Sequence, residues 1–388
     1  MSKNKAVPAP KTPAPKIPPK VLHCHSTFAP GGKELRAVQL MNAFGRELDH
    51  TVISGMPDQM GARGHIAPSI KAAFPDDFPS LIGWPTPGRL VAIAKAMKPF
   101  DLVLTYNWGA MDVVMAHRVF GDALGLPPLI HHEDGFNEDE AGELKSSRNW
   151  FRRIALESAH ALVVPSRVLE GIAHSVWRQP RGKVQRISNG IDTAKFAKPA
   201  KPGAFRVVKR DGEFWVGTLA GLRPVKQLPM LVEALAQVPE TWHLVILGDG
   251  PEKDAIQSAA DAHDINDRVH LPGAVTDPAS LIGMFDIFAL SSKSEQFPLS
   301  VVEAMAAGLP IAAPDVGDVK TIVSEENRPF IAVPNDAEAL GAMLSELAEN
   351  TELREELGKA NRAKAAAHFD QARMVDAYRA LYWGAMGR

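Results

Sequence analysis

From Val21 onward the chain alternates short apolar runs of strand character with longer runs of helical spacing. That alternation restricts it to a layered α/β fold built on parallel strands. "VLHCHS" precedes a Gly-Gly turn and the amphipathic "KELRAVQLMNAFGREL". "TVISG" and "DLVLTYN" read as further strands, the latter followed by the helical "MDVVMAHRVFG". "PPLIHH" leads into a polar loop and the helical "NWFRRIALESA", and "ALVVPS" and "VQRIS" close this half. A Lys-, Pro-, Ala- and Gly-rich stretch, "DTAKFAKPAKPGAFRVVKRDG", then breaks the periodicity and reads as a linker. The alternation resumes with the strands "FWVGTLA", "WHLVILG", "RVHLPG", "IFALSS" and "PIAAP", with helical runs such as "LPMLVEALAQV" and "PASLIGMF" between them.

A chain of 388 residues exceeds one ordinary core. The expected division is an N-terminal Rossmann-like domain over 21–195, a linker over 196–212, a second such domain over 213–368, and a final helical segment over 369–388. Residues 1–20, with five lysines, six prolines and no acid, read as a disordered tail without the apolar core of a secretory signal. A tether to an anionic membrane surface is one use for such a tail. No apolar run reaches the ~18 residues a membrane helix needs. The net charge of -2 gives no general drive toward nucleic acid. A single cysteine, Cys24, excludes an intrachain disulfide and fits a reducing compartment. With His23 and His25 it lacks the fourth ligand of a zinc site, so it reads as core.

In open α/β sheets ligands bind beyond the carboxyl ends of the strands, so the informative residues are those just after strands. In "VGTLAGLRPVKQ", Arg223 and Lys226 stand three apart between a strand and a helix. Two cations so placed can converge on one anion, with the helix N-terminus adding its amides; a diphosphate suits them. In "VILGDGPEKDAI", Gly248 and Gly250 end a strand, but Glu-Lys stands where a dinucleotide fingerprint needs its third glycine. That leaves a tight turn against which a nucleotide backbone could pack. Gly31 and Gly32 lie between the first strand and helix, where glycine allows positive φ and close backbone approach. "LIHHEDGFNEDEAGE" puts His131, His132, Glu133 and Asp134 at a strand end, and six acids lie between Glu133 and Glu143. The alternatives there are catalysis, a divalent metal and a solvated acidic loop. Asn189 and Gly190 in "ISNGID" read as a turn. In "SEQFPLSVVEAMAAG", Glu295 precedes a predicted helix and Glu303 lies at its entrance. Ser300 and Glu303 have the spacing of a capping box; the other reading is two carboxylates that hold sugar-nucleotide hydroxyls.

In order and spacing, "PGGKE", "ISNGID", the Gly217-to-Lys226 motif, "GDGP", and Glu295 with Glu303 in "SEQFPLSVVEAMAAGLPIAAPDVG" resemble the retaining glycosyltransferases of family 4, which have the GT-B fold. The resemblance covers nearly everything from residue 21 to 388. It implies two Rossmann-like doubly wound domains facing a central cleft, the first on the acceptor side and the second binding a nucleotide sugar. It implies that Glu303 binds ribose hydroxyls and Glu295 the transferred sugar, while Arg223 and Lys226 neutralise the diphosphate. Gly31 and Gly32 would lie near the phosphates and acceptor. Gly217, Gly248, Gly250, Gln296, Phe297, Pro298 and Leu299 fall in the donor motifs. The final helix would pack back on the first domain. No metal or other cofactor is implied; the donor would be a UDP- or GDP-hexose, and the acceptor a glycan or lipid-linked hydroxyl of bacterial envelope, exopolysaccharide or lipopolysaccharide assembly.

This chain departs from the family pattern in three places. Gln296 follows the first glutamate and Gln227 follows the lysine, where relatives often have glycine. The residue before Gly135 is Asp134, where many relatives carry histidine, so the N-domain catalytic group is open among Asp134, His132 and His131, with Asp134 favoured by alignment. The competing functions are a non-hydrolysing nucleotide-sugar epimerase and a binding protein that has lost transfer. A helix carrying Lys145, Arg148, Arg152 and Arg153 around Trp150 and Phe151 could lie on an anionic membrane as a peripheral contact from a cytoplasmic enzyme, or be an ordinary surface helix.

Overall fold

The computed structural model describes residues 17–136, 138–140, 143–201 and 207–388. The tail up to residue 16 and the middle of the linker, 202–206, lie outside the described residues. Two parallel sheets organise the chain, as the alternation predicts. The first holds β1 (Lys20–His25), β2 (Asp49–Ser54), β3 (Ala72–Ala73), β4 (Leu102–Tyr106), β5 (Leu129–His132), β6 (Ala161–Val164) and β7 (Val184–Arg186), in the order β3-β2-β1-β4-β5-β6-β7. The second holds β8 (Phe214–Leu219), β9 (Trp242–Leu247), β10 (Val269–Gly273), β11 (Ile287–Ala289), β12 (Ile311–Pro314) and β13 (Ile331–Ala332), in the order β10-β9-β8-β11-β12-β13. Both orders reverse direction beside the first strand of the set, which is the doubly wound pattern, with its crevice between that strand and the fourth. β1 pairs in parallel with β2 and β4, and β8 with β9 and β11.

The connecting helices are α1 (Gly32–Phe44), α2 (Pro87–Met97), α3 (Met111–Leu124), α4 (Ser146–Ala155), α5 (Arg167–Ser175) and α6 (Thr193–Phe196). They continue with α7 (Leu228–Leu235), α8 (Lys253–Ala262), α9 (Leu299–Ala307), α10 (Val319–Ile322), α11 (Ala337–Glu349), α12 (Thr351–His368) and α13 (Gln371–Ala385). Local chemistry sets several boundaries. Ser166 accepts from Leu169 N–H at 3.1 Å to start α5, and Asp336 and Asn350 do the same for α11 and α12. Gly308, at φ +84°, ends α9 in the left-handed conformation glycine favours. "PASLIGMF" departs from expectation: it forms two single 3₁₀ turns, Pro278–Ser280 and Ile282–Met284, instead of a helix. Proline and glycine in an eight-residue run leave too few propagating bonds for an α-helix.

By contact density the chain falls into two compact units. One contains the described residues up to His132 with Trp150–Leu162 and Leu381–Arg388. The other contains Glu133–Asn149 and Val163–Ala380. In the first unit the central strand β1 is buried over Val21–His25, as expected of a parallel strand covered on both faces. Cys24 belongs to that core, and burial pushes its thiol well above the ordinary range. The end of α13 closes this core: Phe44 meets the rings of Tyr382 and Trp383 at 5.8 and 5.5 Å between centroids. In the second unit α9 packs beneath the sheet, burying Val301, Val302, Met305 and Ala306. That packing holds the 290–298 loop at the carboxyl end of β11.

Candidate active site

The loops after β8 and β11 come together in the second unit. Ser291 Oγ donates to Lys226 O at 2.7 Å, and Lys293 N–H donates to Val225 O at 2.8 Å. The Lys226 ammonium pairs with the Glu295 carboxylate, which also accepts from Ser292 Oγ at 2.7 Å. Sequence spacing missed both serines; two small hydroxyls at a strand end are their only signal. Arg223 is exposed and has no ion-pair or hydrogen-bond partner for its guanidinium among the described residues. With Lys226 matched by Glu295, Arg223 supplies the net positive charge of this loop. The two cations are therefore not equivalent, as their spacing alone had made them.

Glu303 lies in the second turn of α9 and accepts no hydrogen bond among the described residues. Burial raises its carboxyl from 4.5 to about 7, offset in part by the charge of Lys195. The capping-box reading of Ser300 and Glu303 is overturned. The N-cap of α9 is Pro298, without a side-chain cap bond, so Ser300 already lies inside the first turn. Phe297 is buried and meets the Phe369 ring edge-on at 5.6 Å, so it anchors the loop while Pro298 and Leu299 start the helix.

The glycines divide by what fills the space a side chain would need. A Cβ on Gly217 would lie 2.0 Å from the Phe285 ring, so this residue serves packing inside β8. A Cβ on Gly248 would lie 1.8 Å from Ala220 O, and one on Gly250 (φ +153°) 2.5 Å from Leu222 O. At both positions it is neighbouring protein backbone that requires glycine. Gly190 meets Gln371 Cα at 2.9 Å by the same measure, so its reason is a crossing chain as well as a turn. Gly31 and Gly32 do not take positive φ, contrary to expectation. Gly31 instead makes room for the Glu34 carboxylate, which is buried, pairs with Lys33 and accepts from Thr27 Oγ1 at 3.3 Å. Gly32 faces open space.

At the end of β5, His131 and His132 are both sealed from solvent. His131 Nδ1 lies 2.8 Å from Thr105 Oγ1. His132 Nδ1 lies 3.2 Å from Thr105 O and its Nε2 3.1 Å from Tyr382 Oη, with the ring stacked on Tyr106. Burial holds His132 well below its usual pKa, so it is neutral. Asp134 alone of the three is partly exposed. Part of the acidic stretch beyond it lies outside the described residues, and no group of three metal-ligating side chains occurs among those described.

The basic helix loses most of its free charge. Lys145 and Arg148 pair with Asp139, Arg148 also with Glu140, and Arg152 is buried with its guanidinium over Trp108. Trp150 and Ile154 remain exposed. No described helix is long and apolar enough to cross a membrane.

Gln227, where relatives often have glycine, takes φ +46° at the N-cap of α7, and its Oε1 is buried without a partner among the described residues. Both features are costly for a residue with a Cβ. Gln227→Gly is expected to stabilise the fold by about 1 kcal/mol, read as a rise in Tm. A fall in Tm would show that the side chain supports the loop.

Two family models match this chain: glycosyl transferases group 1 over residues 204–364, and glycosyltransferase family 4 over residues 30–195. Together they span both α/β halves. The chain belongs to glycosyltransferase family 4. It is 24% identical over 71% of each chain to N-acetyl-alpha-D-glucosaminyl L-malate synthase of Bacillus anthracis. It is 25% identical to UDP-Gal:alpha-D-GlcNAc-diphosphoundecaprenol alpha-1,3-galactosyltransferase of Escherichia coli, over 77% of this chain and 82% of that one. Among solved structures, Anabaena Alr3699/HepE in complex with UDP superposes with a TM-score of 0.79 at 20% identity, covering 94% of this chain and 100% of the other. The fold is therefore GT-B, and the enzyme is a glycosyltransferase whose relatives act in glycan and lipopolysaccharide synthesis.

Proposed function

We propose that this glycosyltransferase moves a hexosyl-type group from a nucleoside diphosphate sugar to an acceptor hydroxyl with retention of configuration, in bacterial envelope or exopolysaccharide assembly. The observation that carries the reading is the presence, in one unit, of an Arg223 guanidinium without a partner among the described residues and of two carboxylates of different environment. Arg223, with the remaining donors of Lys226, would meet the diphosphate and stabilise charge growing on the leaving phosphate. Glu303 would accept from ribose hydroxyls. Glu295, oriented by Lys226 and Ser292, would hold the sugar so that its anomeric carbon faces the acceptor. A leaving-phosphate oxygen can take the acceptor proton, and Asp134 is the polar group of residues 21–195 assigned to the reacting face. On this reading 21–195 is the acceptor-side domain and 213–368 the donor domain, and side-chain cations do the charge work without a metal. The relatives named for UDP-galactose and found with UDP support the donor class.

Calorimetry with UDP- and GDP-sugars, with and without a chelator, tests this. One nucleotide class is expected to bind, with its affinity unchanged by chelation. If no nucleotide sugar binds, the reading fails; if binding requires an added divalent ion, the metal-free part fails.

A further inference from the structure

We propose that Asp318 is a positioning residue for the sugar-binding strip Glu295–Gln296, an inference that rests on the nucleotide-sugar reading above. Asp318 is buried, at 5% exposure, on the loop after β12. Its carboxylate accepts the first two amides of α5: Arg167 N–H to Oδ2 at 2.7 Å and Val168 N–H to Oδ1 at 3.3 Å. A carboxylate is favoured at that helix end by both the free amides and the dipole. The backbone of the same residue reaches the strip, since Asp318 N–H donates to Gln296 O at 3.2 Å. Gly317, at φ +56°, makes this approach possible; a Cβ there would lie 2.3 Å from Glu295 O and 2.9 Å from Gln296 O.

A second link runs parallel to the first. Ser166, the side-chain cap of α5, donates to Gln296 Oε1 at 3.4 Å. On its other side the Gln296 side chain meets Gly135, whose added Cβ would lie 3.3 Å from Gln296 Cγ; Gly135 (φ +151°) follows Asp134 directly. α5 already has a local cap in Ser166. What a second cap from a distant loop adds is a fixed spacing between α5 and the strip that presents Glu295. Asp318 acts through its neighbours and need not touch substrate.

The test compares the affinity for a nucleotide sugar with that for its bare nucleotide, using UDP-glucose against UDP and GDP-mannose against GDP. In Asp318→Ala the preference for the sugar-bearing ligand is expected to fall by about tenfold, as when one or two sugar hydrogen bonds are lost, while the bare nucleotide binds as before. Asp318→Asn, which keeps an acceptor for the α5 amides, is expected to recover most of the preference. The effects of D318A and Gln296→Ala should be non-additive, because they break one network. If D318A does not fold, Asp318→Ser takes its place, being a good cap too short to span both contacts. A lowered Tm with the preference intact shows a purely structural role and overturns the inference, as does additivity with Q296A. A wild type blind to all four ligands overturns the nucleotide-sugar reading itself.

Discussion

Arg223→Ala is expected to reduce turnover by on the order of 10² or more, the usual cost of removing a charge contact made in the transition state. The reason lies in the charge balance of the β8–α7 loop. Lys226 is already matched by Glu295, whereas the exposed Arg223 guanidinium has no counter-charge among the described residues. A dianionic leaving group would meet Arg223 first, and its charge is greatest as the glycosidic bond breaks. The loss should therefore appear mainly in kcat, with a smaller change in the affinity for the intact donor. Arg223→Lys should recover only part of it, because a point charge cannot reproduce the bidentate fork. Steady-state release of UDP or GDP checks this. Turnover within twofold of wild type in the alanine variant would remove Arg223 from the diphosphate role.

Much of this architecture was legible because parallel strands buried on both faces announce themselves as continuous apolar runs. "WHLVIL" and "ALVV" become β9 and β6 as read. The order of Gly-Gly, Arg-x-x-Lys and the two glutamates was enough to identify the family. What could not be read was why each residue stands where it does. Four glycines that looked like ligand contacts are explained by neighbours distant in sequence or by local packing: Gly217 by Phe285, Gly248 by Ala220, Gly250 by Leu222, and Gly31 by Glu34. No period or propensity carries that information, because a glycine required by protein backbone and one required by a phosphate have the same local signature. The capping box failed for a related reason. Pro298 fixes its own φ and starts the helix two residues before Ser300, so a motif with correct spacing fell in the wrong register. Asp318 was invisible because its partners, Arg167 and Val168, lie some 150 positions away. Lys145 and Arg148 show the same limit from the other side: their neutralisers, Asp139 and Glu140, read from sequence as a separate acidic loop.

Glu303 should make nucleotide binding depend on pH across the neutral range. Its carboxyl titrates at about 7 in the free protein because burial disfavours the charge and Lys195 compensates only in part. Ribose hydroxyls donate to a carboxylate, so the ligand prefers the ionised form and binding releases a proton wherever Glu303 was neutral. Affinity for UDP or GDP is then expected to fall by about tenfold between pH 8 and pH 6, following the ionised fraction. Calorimetry in buffers of different ionisation enthalpy should show the released proton near pH 6.5. Glu303→Gln should flatten this profile and weaken binding at pH 8. The same shift acts in the opposite sense on the fold. A carboxyl whose folded value lies above its unfolded one is best tolerated below the unfolded value, and its contribution is lost as pH rises toward about 7. At pH 8 the charge on this half-buried carboxylate costs at most about 3–4 kcal/mol, so E303Q should melt at a higher temperature than wild type there and show no such gain at pH 4. A variant more stable yet weaker in nucleotide binding would mark Glu303 as a residue kept for the ligand at the expense of the fold. If E303Q melts lower at pH 8 and keeps a pH-dependent affinity, the carboxylate is holding the helix and another group binds the ribose.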